Sequence, residues 1–310
     1  MARHYGIPYM GSKQKLVDKV VPFILKRHPD VTHFYDLFGG GGSVSLYAVR
    51  KYPNLNVHYN ELSKAIGSLM QALKDGDPIS KAWIDREAFE REYTGDDAWA
   101  GLLQTCWTFG NNQKSYLYGK PLEKFKEKLT DLVMTGEGST GELEDMANDI
   151  LIKEYGKTDP RVKIYLNPVI YSTPYQRRIV LARQIPNIGA LQHLARIERL
   201  IQIQNMPGIS DLIITAGKGY DEVPINTTRS VVYCDPPYEN TAEYREGSFD
   251  SKKFYEWCMT RPFPVYVSSY KISDPRFKLV KAINTRSLLA AAYTKEASYN
   301  YENLYWNGVQ

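Results

Sequence analysis

In THFYDLFGGGGSVSLYAVRKY, residues 32–52, a short β-branched and aromatic run ends in four glycines, Gly39 to Gly42, and Ser43 then opens a helical pattern. The first seven residues have the composition of a strand. A strand that turns through glycines directly into a helix is the opening unit of a parallel α/β sheet. Open sheets of this kind bind ligands beyond the carboxyl ends of their strands, and glycines let a ligand approach the backbone closely. The run lacks the final spaced glycine of the phosphate-binding GxGxxG pattern.

The pattern extends in both directions. Upstream, Leu16, Val20, Phe23 and Ile24 recur at helical spacing within Gly11–Lys26, and Pro22 is placed to bend that helix. Downstream, NVHYNE (56–61) reads as a second strand and LSKAIGSLMQALKDG (62–76) as a helix with a glycine stop. From Pro78 to roughly Gln204 the alternation ceases, in a segment rich in helix formers. It resumes with strands DLIIT (211–215) and SVVYC (230–234), helix SKKFYEWCM (251–259) and strand FPVYVSS (263–269). The tail AYTKEASYNYENLYWN (292–307) is expected to supply a closing antiparallel pair. One α/β core, residues 1–77 and 205–310, is therefore expected to be interrupted by a mainly helical insertion, residues 78–204, far longer than an ordinary connection.

Composition bounds the classes. The 310 residues are 43% hydrophobic and 24% charged, as in ordinary soluble globular proteins. No apolar run approaches transmembrane length, and MARHYGIPYMGSKQKL lacks the apolar region of a signal peptide. Cys106, Cys234 and Cys258 form no CxxC pair, which suits a reducing cytoplasm. His4, His28, His33, His58 and His193 show no ligand spacing, so no metal is expected, nor any membrane partner, and the chain is expected to be a monomer. Lys153–Leu200 holds nine Lys/Arg against three Asp/Glu, +6 within a net charge of +4. A block of this kind is either a footprint for nucleic acid or a solvated helical surface. The acidic stretch TGEGSTGELED (135–145) reads as a mobile loop flanking a helix.

Two acids frame the carboxyl edge of the expected sheet. Glu61 ends the second strand and is placed to accept hydrogen bonds from ribose hydroxyls. Asp235 ends SVVYC and begins the run Asp235-Pro236-Pro237-Tyr238. The prolines have fixed φ and no N–H, so they form a rigid turn whose carbonyls face a ligand without competing donors. The set suits a planar group bearing an NH₂. Asp235 and the Pro236 carbonyl can accept its two hydrogens while Tyr238 stacks on its face. An exocyclic base amine is a poor nucleophile because its lone pair is delocalised. Two acceptors, one of them charged, draw the nitrogen toward tetrahedral geometry and aim the lone pair at an electrophilic methyl group. A charge-assisted hydrogen bond contributes about 1.5–3 kcal/mol, and one that strengthens as charge grows lowers the barrier. A base within a duplex must be flipped out to reach such a pocket, at a cost of a few kcal/mol that aromatic stacking of about 1–3 kcal/mol offsets. The structural reading of the same residues is a rigid turn with a buried tyrosine.

At these residues the chain resembles the Dam-like (D12-type, class alpha) DNA adenine-N6 methyltransferases, which use S-adenosylmethionine. YMGSK (9–13) resembles the family's N-terminal cofactor motif, DLFGGGGS (36–43) its glycine motif, YNE (59–61) its ribose-binding acid and DPPY (235–238) its catalytic motif. VYVSSY (265–270) and ENLYWN (302–307) resemble its later strands. The resemblance implies a Rossmann-like methyltransferase sheet with an inserted target-recognition domain, acting on double-stranded DNA. It implies that Tyr9 and Lys13 contact the cofactor's methionine end or adenine, and that Asp36, Phe38, Gly39, Gly40 and Ser43 line its pocket. Glu61, in place of the family's usual Asp, would hold the ribose, and Asp235 would take the target amine beside the cofactor. Gly219 stands where the family often has an adenine-binding acid, so Tyr220 or Asp221 is expected to substitute.

Within the insertion, FGNNQKSYLYGK (109–120) mixes amides, aromatics and lysines. Asn111 and Asn112 are of a type that reads adenine edges, Lys114 and Lys120 suit guanine or phosphate, and Tyr116 suits a wedge into a base stack. Arg177, Arg178 and Arg183 are expected to be phosphate clamps. The same loop also reads as a capped polar turn. Three rival activities remain at this level: N4 methylation of cytosine, RNA base methylation and non-catalytic DNA binding. DPPY rather than SPPY leans toward adenine by resemblance, and the 199 positions between Asp36 and Asp235 leave room for a DNA-reading insertion.

Overall fold

The computed structural model describes residues 5–138, 140–156, 162, 175–183, 185, 188–237, 249–286 and 299–310. These form two compact units: Met1–Pro78, Gly95–Leu102 and Arg199–Gln310 make the first, Ile79–Thr94 and Leu103–Glu198 the second.

The first unit is built on a seven-stranded sheet. Its strands are β1 (His33–Asp36), β2 (Asn56–Glu61), β3 (Ile213–Ala216), β4 (Ser230–Cys234), β5 (Val265–Ser269), β6 (Lys278–Arg286) and β7 (Tyr299–Trp306). Their order is β3-β2-β1-β4-β5-β7-β6. The first five pair in parallel, while β7 pairs antiparallel with β5 and β6. β4 and β5 are buried at all five positions, as continuous apolar runs at the centre of a parallel sheet must be. β1 and β4 are adjacent, and the strand order departs from them in opposite directions. Their carboxyl ends therefore flank the topological switch point, where α/β sheets open a ligand crevice.

Helices α1 (Val17–Arg27), α2 (Ser43–Lys51) and α3 (Lys64–Asp75) follow the expected pattern. Ser63 caps α3 by accepting from the Ile66 N–H, and Gly76 closes it at φ +81°. The expected Ser251–Met259 helix is present, capped by Asp250, and packs Phe254, Tyr255 and Cys258 beneath Val232, Cys234, Val265 and Val267. Residues 292–298 of the tail lie outside the described residues, and among the described ones it contributes one strand, β7. Its partner is the upstream β6, KLVKAINTR, whose interspersed charges do not read as a strand by composition.

The second unit is helical: α4 (Arg86–Glu92), the end of α5 (Ala98–Cys106), α6 (Lys120–Thr135), α7 (Thr140–Tyr155), α8 (Tyr175–Arg183) and most of α9 (Gln192–Gln204). Phe125, Leu129, Leu132 and Val133 of α6 form its core with Leu143, Ala147 and Leu151 of α7 and Ile179 and Ala182 of α8. The acidic stretch expected as a mobile loop is in part the opening of α7; the break before it is the left-handed Gly136 that ends α6. Two pieces of the expected insertion, Gly95–Leu102 and Arg199–Gln204, group with the sheet. Gly101 is the reason for the first, because a Cβ there would overlap the Ala65 carbonyl oxygen of α3. Arg199 is the reason for the second. Its guanidinium donates to Gly6 O (2.6 Å), Tyr5 O (3.3 Å) and Gln14 Oε1 (2.7 Å), tying α9 to the segment that carries Tyr9 and Lys13.

Candidate active site

The glycine bend is braced by four hydrogen bonds, one with the N-terminal segment and three with β2. Its backbone is joined to the N-terminal segment by Ile7 N–H to Gly41 O (2.8 Å) and to β2 by Gly39 N–H to Asn60 O (2.8 Å). The Tyr59 hydroxyl donates to Gly40 O (2.7 Å), and Glu61 Oε2 accepts from the Gly40 N–H (2.6 Å). Glu61 Oε1 accepts from Ser63 N–H (2.9 Å), so the acid expected at the ribose also locks the loop to β2. A Cβ on Gly41 would lie 2.7 Å from Tyr9 Cβ and 2.9 Å from Ile7 O; one on Gly42 would lie 2.6 Å from Met70 Cε. Glycine is thus required here by the protein's own packing. Ser43 is buried at the start of α2.

Asp36 ends β1 and is fully buried. Its Oδ2 accepts from Ser45 Oγ (2.7 Å), whereas Oδ1 is a buried acceptor with no hydrogen-bond partner. Burial pushes the carboxyl up to about 7; Ser45 opposes this, and the negative charges of Asp235 and Glu61 add to it. The folded state therefore holds a proton that the unfolded chain, titrating near 3.8, releases. Stability associated with Asp36 is full below about pH 3.8 and is lost as pH rises through about 7. Asp36→Asn is expected to flatten that part of the stability profile, read from denaturant midpoints across the range.

Asp235 follows β4, whose Tyr233 is in register with Asp36 on β1. Its Oδ2 lies 2.8 Å from Lys13 Nζ, and the same ammonium lies 3.6 Å from Glu302 Oε1 on β7. The structure thus brings Lys13 onto the acid of the DPPY run. Pro236 is buried and Pro237 half-buried, while Tyr238 lies outside the described residues. Tyr9 packs on the glycine bend, its ring edge 3.0 Å from where a Gly40 Cβ would stand. Behind Asp235, the Tyr233 hydroxyl and Ser268 Oγ pair at 2.8 Å.

Phe38 stacks on Tyr220 with ring centroids 5.7 Å apart, in a cluster with Phe249 and Phe254. Tyr220 thus reaches the end of β1, as a residue lining a pocket there must. Asp221 points elsewhere and pairs with Lys253 at 2.8 Å. Gly219 donates its N–H to Glu222 (2.7 Å), an acid not singled out in the sequence.

In the second unit, the segment around Phe109–Lys120 is a folded turn. Phe109 N–H donates to Ser115 O (2.8 Å), and Asn112 Oδ1 accepts from the N–H groups of Lys114 and Ser115. Asn111 and Gln113 sit at φ +58° and +59°, conformations unusual for residues with a Cβ. Arg196 braces the turn by donating to Thr108 O (2.7 Å). Two expectations are corrected. Tyr116 is a core residue, 6% exposed, whose hydroxyl donates to Ile84 O (2.6 Å), so it is not available to wedge into a stack. Arg178 donates to Val133 O (2.6 Å) and Met134 O (2.9 Å) at the end of α6, where cations complement unsatisfied carbonyls, and is not disposed as a phosphate clamp. Lys114, Lys120 and Arg183 are exposed, and the Arg177 side chain lies outside the described residues. The large apolar side chain presented by the turn is Phe109, 66% exposed. Tyr116→Phe is expected to cost about 1 kcal/mol of stability, the worth of one buried hydrogen bond, and to leave DNA binding unchanged. Thermal melts and DNA titrations of the same variant check both halves.

Among the described residues, no group of His, Cys, Asp or Glu is arranged to hold a metal, and no helix is long and apolar enough to cross a membrane. None of the curated proteins matches the chain. Residues 9–96 match the family model of the D12 class N6 adenine-specific DNA methyltransferases. The matched segment carries Tyr9, Lys13, Asp36, the four glycines, Ser43 and Glu61. Over residues 9–96, the chain is similar to the D12 class of N6 adenine-specific DNA methyltransferases, a family of enzymes.

Proposed function

We propose that the protein transfers a methyl group from S-adenosylmethionine to the N6 amine of an adenine flipped out of double-stranded DNA. The observation that carries this reading is the juxtaposition at the switch point. A buried, unpartnered carboxylate oxygen and a braced glycine bend end β1, and an acid followed by two prolines ends the adjacent β4.

The residues fit the cofactor. Asp36 Oδ1 is a buried acceptor without a hydrogen-bond partner, which suits the α-ammonium group. Glu61, whose oxygens accept the Gly40 and Ser63 N–H groups, is the acceptor for the ribose hydroxyls in this reading. Phe38 and Tyr220 supply an aromatic wall, and Tyr9 and Ser43 border the bend. S-adenosylmethionine, when bound, supplies an electrophilic methyl group on its sulfonium.

The chain's own residues prepare the nucleophile. Asp235 and the Pro236 carbonyl accept the two amine hydrogens and hold the nitrogen lone pair out of conjugation. Tyr238 stacks on the base. As the nitrogen gains its new bond it becomes acidic, and its surplus proton leaves through the Asp235 carboxylate to solvent. The charge of Asp235 grows in value as that positive charge develops, which is where transition-state stabilisation arises. In the second unit, Phe109 takes the stacking role first expected of Tyr116. Asn112 uses both ends of its amide to cap the turn, so Asn111 is the amide we assign to a base edge, and Lys114, Lys120, Arg177 and Arg183 contact phosphates.

Incubation with labelled S-adenosylmethionine and matched duplex DNA, single-stranded DNA and RNA tests the reading. Label is expected in the duplex. Label confined to RNA would overturn the assignment of the partner.

A further inference from the structure

β7 runs antiparallel to β5, so its amino end reaches the sheet edge where β1 and β4 finish. Asn303 pairs with Ser269, the last residue of β5, which puts Glu302 just beyond that strand. Glu302 faces the Lys13 ammonium that also holds Asp235. All three side chains are largely buried, at 12% exposure for Lys13, 17% for Asp235 and 7% for Glu302.

One cation and two carboxylates in a poorly solvated place are costly unless the arrangement does something a simple pair does not. A charged ammonium is a stronger donor to Asp235 than a neutral base amine. While Lys13 sits on Oδ2, the amine meets an acceptor that is already engaged and whose charge is neutralised. Glu302 offers the ammonium a second carboxylate without moving it into solvent. With Lys13 drawn to Glu302, Asp235 faces the amine with its full negative charge.

We propose that Glu302 is a positioning residue that takes Lys13 from Asp235 when the target amine arrives. The inference rests on the reading of Asp235 as the acceptor of that amine. Glu302→Gln keeps the size of the side chain and removes its charge. The single-turnover rate of methyl transfer is expected to fall about 10- to 100-fold, the value of weakening one charge-assisted hydrogen bond. Calorimetric affinity for S-adenosylmethionine, duplex affinity and melting temperature should stay near those of the parent.

Because Glu302 acts through Lys13, the same substitution should cause little further loss in a Lys13→Met background. An unchanged rate in Glu302→Gln, with the parent protein active, would overturn the proposal. So would an equal loss in both backgrounds, or a loss matched by weaker cofactor binding and a lower melting temperature. A parent protein inactive on every adenine-containing duplex tried would overturn the reading of Asp235 together with the proposal.

Discussion

Asp235→Ala is expected to slow methyl transfer by about 10²- to 10³-fold or more while leaving the fold and cofactor affinity nearly intact. The magnitude follows from what the carboxylate does. Removing one preorganised group aimed at developing charge costs about 10²- to 10³-fold in other enzymes. Asp235 both orients the amine and receives its growing positive charge. The fold should tolerate the change because Lys13 keeps Glu302 within reach and the Asp235 side chain is not fully enclosed. Asp235→Asn should rescue little. Its amide would turn two N–H donors toward an edge already held by an ammonium and approached by an amine. Single-turnover rates, beside calorimetric titration with S-adenosylmethionine, separate loss of chemistry from loss of binding. A variant that binds cofactor poorly and melts early would assign Asp235 to structure instead.

Gly39→Ala is expected to cost about 3 kcal/mol of stability, the upper range for overpacking a tight site, and to abolish cofactor binding. A Cβ at this position would overlap the Cε2 and Cδ2 of Tyr59 and stand 2.9 Å from Asn60 O. Tyr59 has nowhere to go, since its ring is fully buried and its hydroxyl is bonded to Gly40 O. The bend would have to open, breaking the hydrogen bond from Gly40 N–H to Glu61 Oε2. Gly76→Ala is the contrasting control. Gly76 has a positive φ, +81°, which Gly39 does not, and nothing lies within 4 Å of its added Cβ. It should lose only the backbone term of about 1 kcal/mol. Equal losses in the two variants, from urea denaturation, would mean that packing around the bend is not what demands glycine.

The core was legible because its signals are local. A strand, a glycine stop and a helix opening lie within residues 32–52, and SVVYC runs into two prolines that nothing but a turn accommodates. Those features alone place Asp36 and Asp235 at one edge of a parallel sheet. The contacts that refine the site join distant parts of the chain and leave no periodic trace. Lys13 and Glu302 come from opposite ends of the sequence, and the antiparallel turn of β7 alone brings them together. The glycines read as room for a ligand, whereas Tyr9, Tyr59 and Met70 already occupy much of that room. The insertion was least legible. Tyr116 and Phe109 are both aromatics in one polar loop, yet Tyr116 packs against Phe89, Trp107 and Tyr118 and bonds Ile84 O, while Phe109 stays exposed. The charge count of the basic block left two readings open because composition does not show where a cation points: Arg178, Arg196 and Arg199 direct their guanidinium groups to backbone carbonyls.

The central claim is that Asp235 presents an adenine N6 amine to a methyl donor. Its most direct test is digestion of methylated duplex DNA to nucleosides after reaction with the parent protein and with Asp235→Ala. N6-methyladenine from the parent, and its loss in the variant, is the predicted result. N4-methylcytosine from the parent, or N6-methyladenine undiminished in Asp235→Ala, would contradict it.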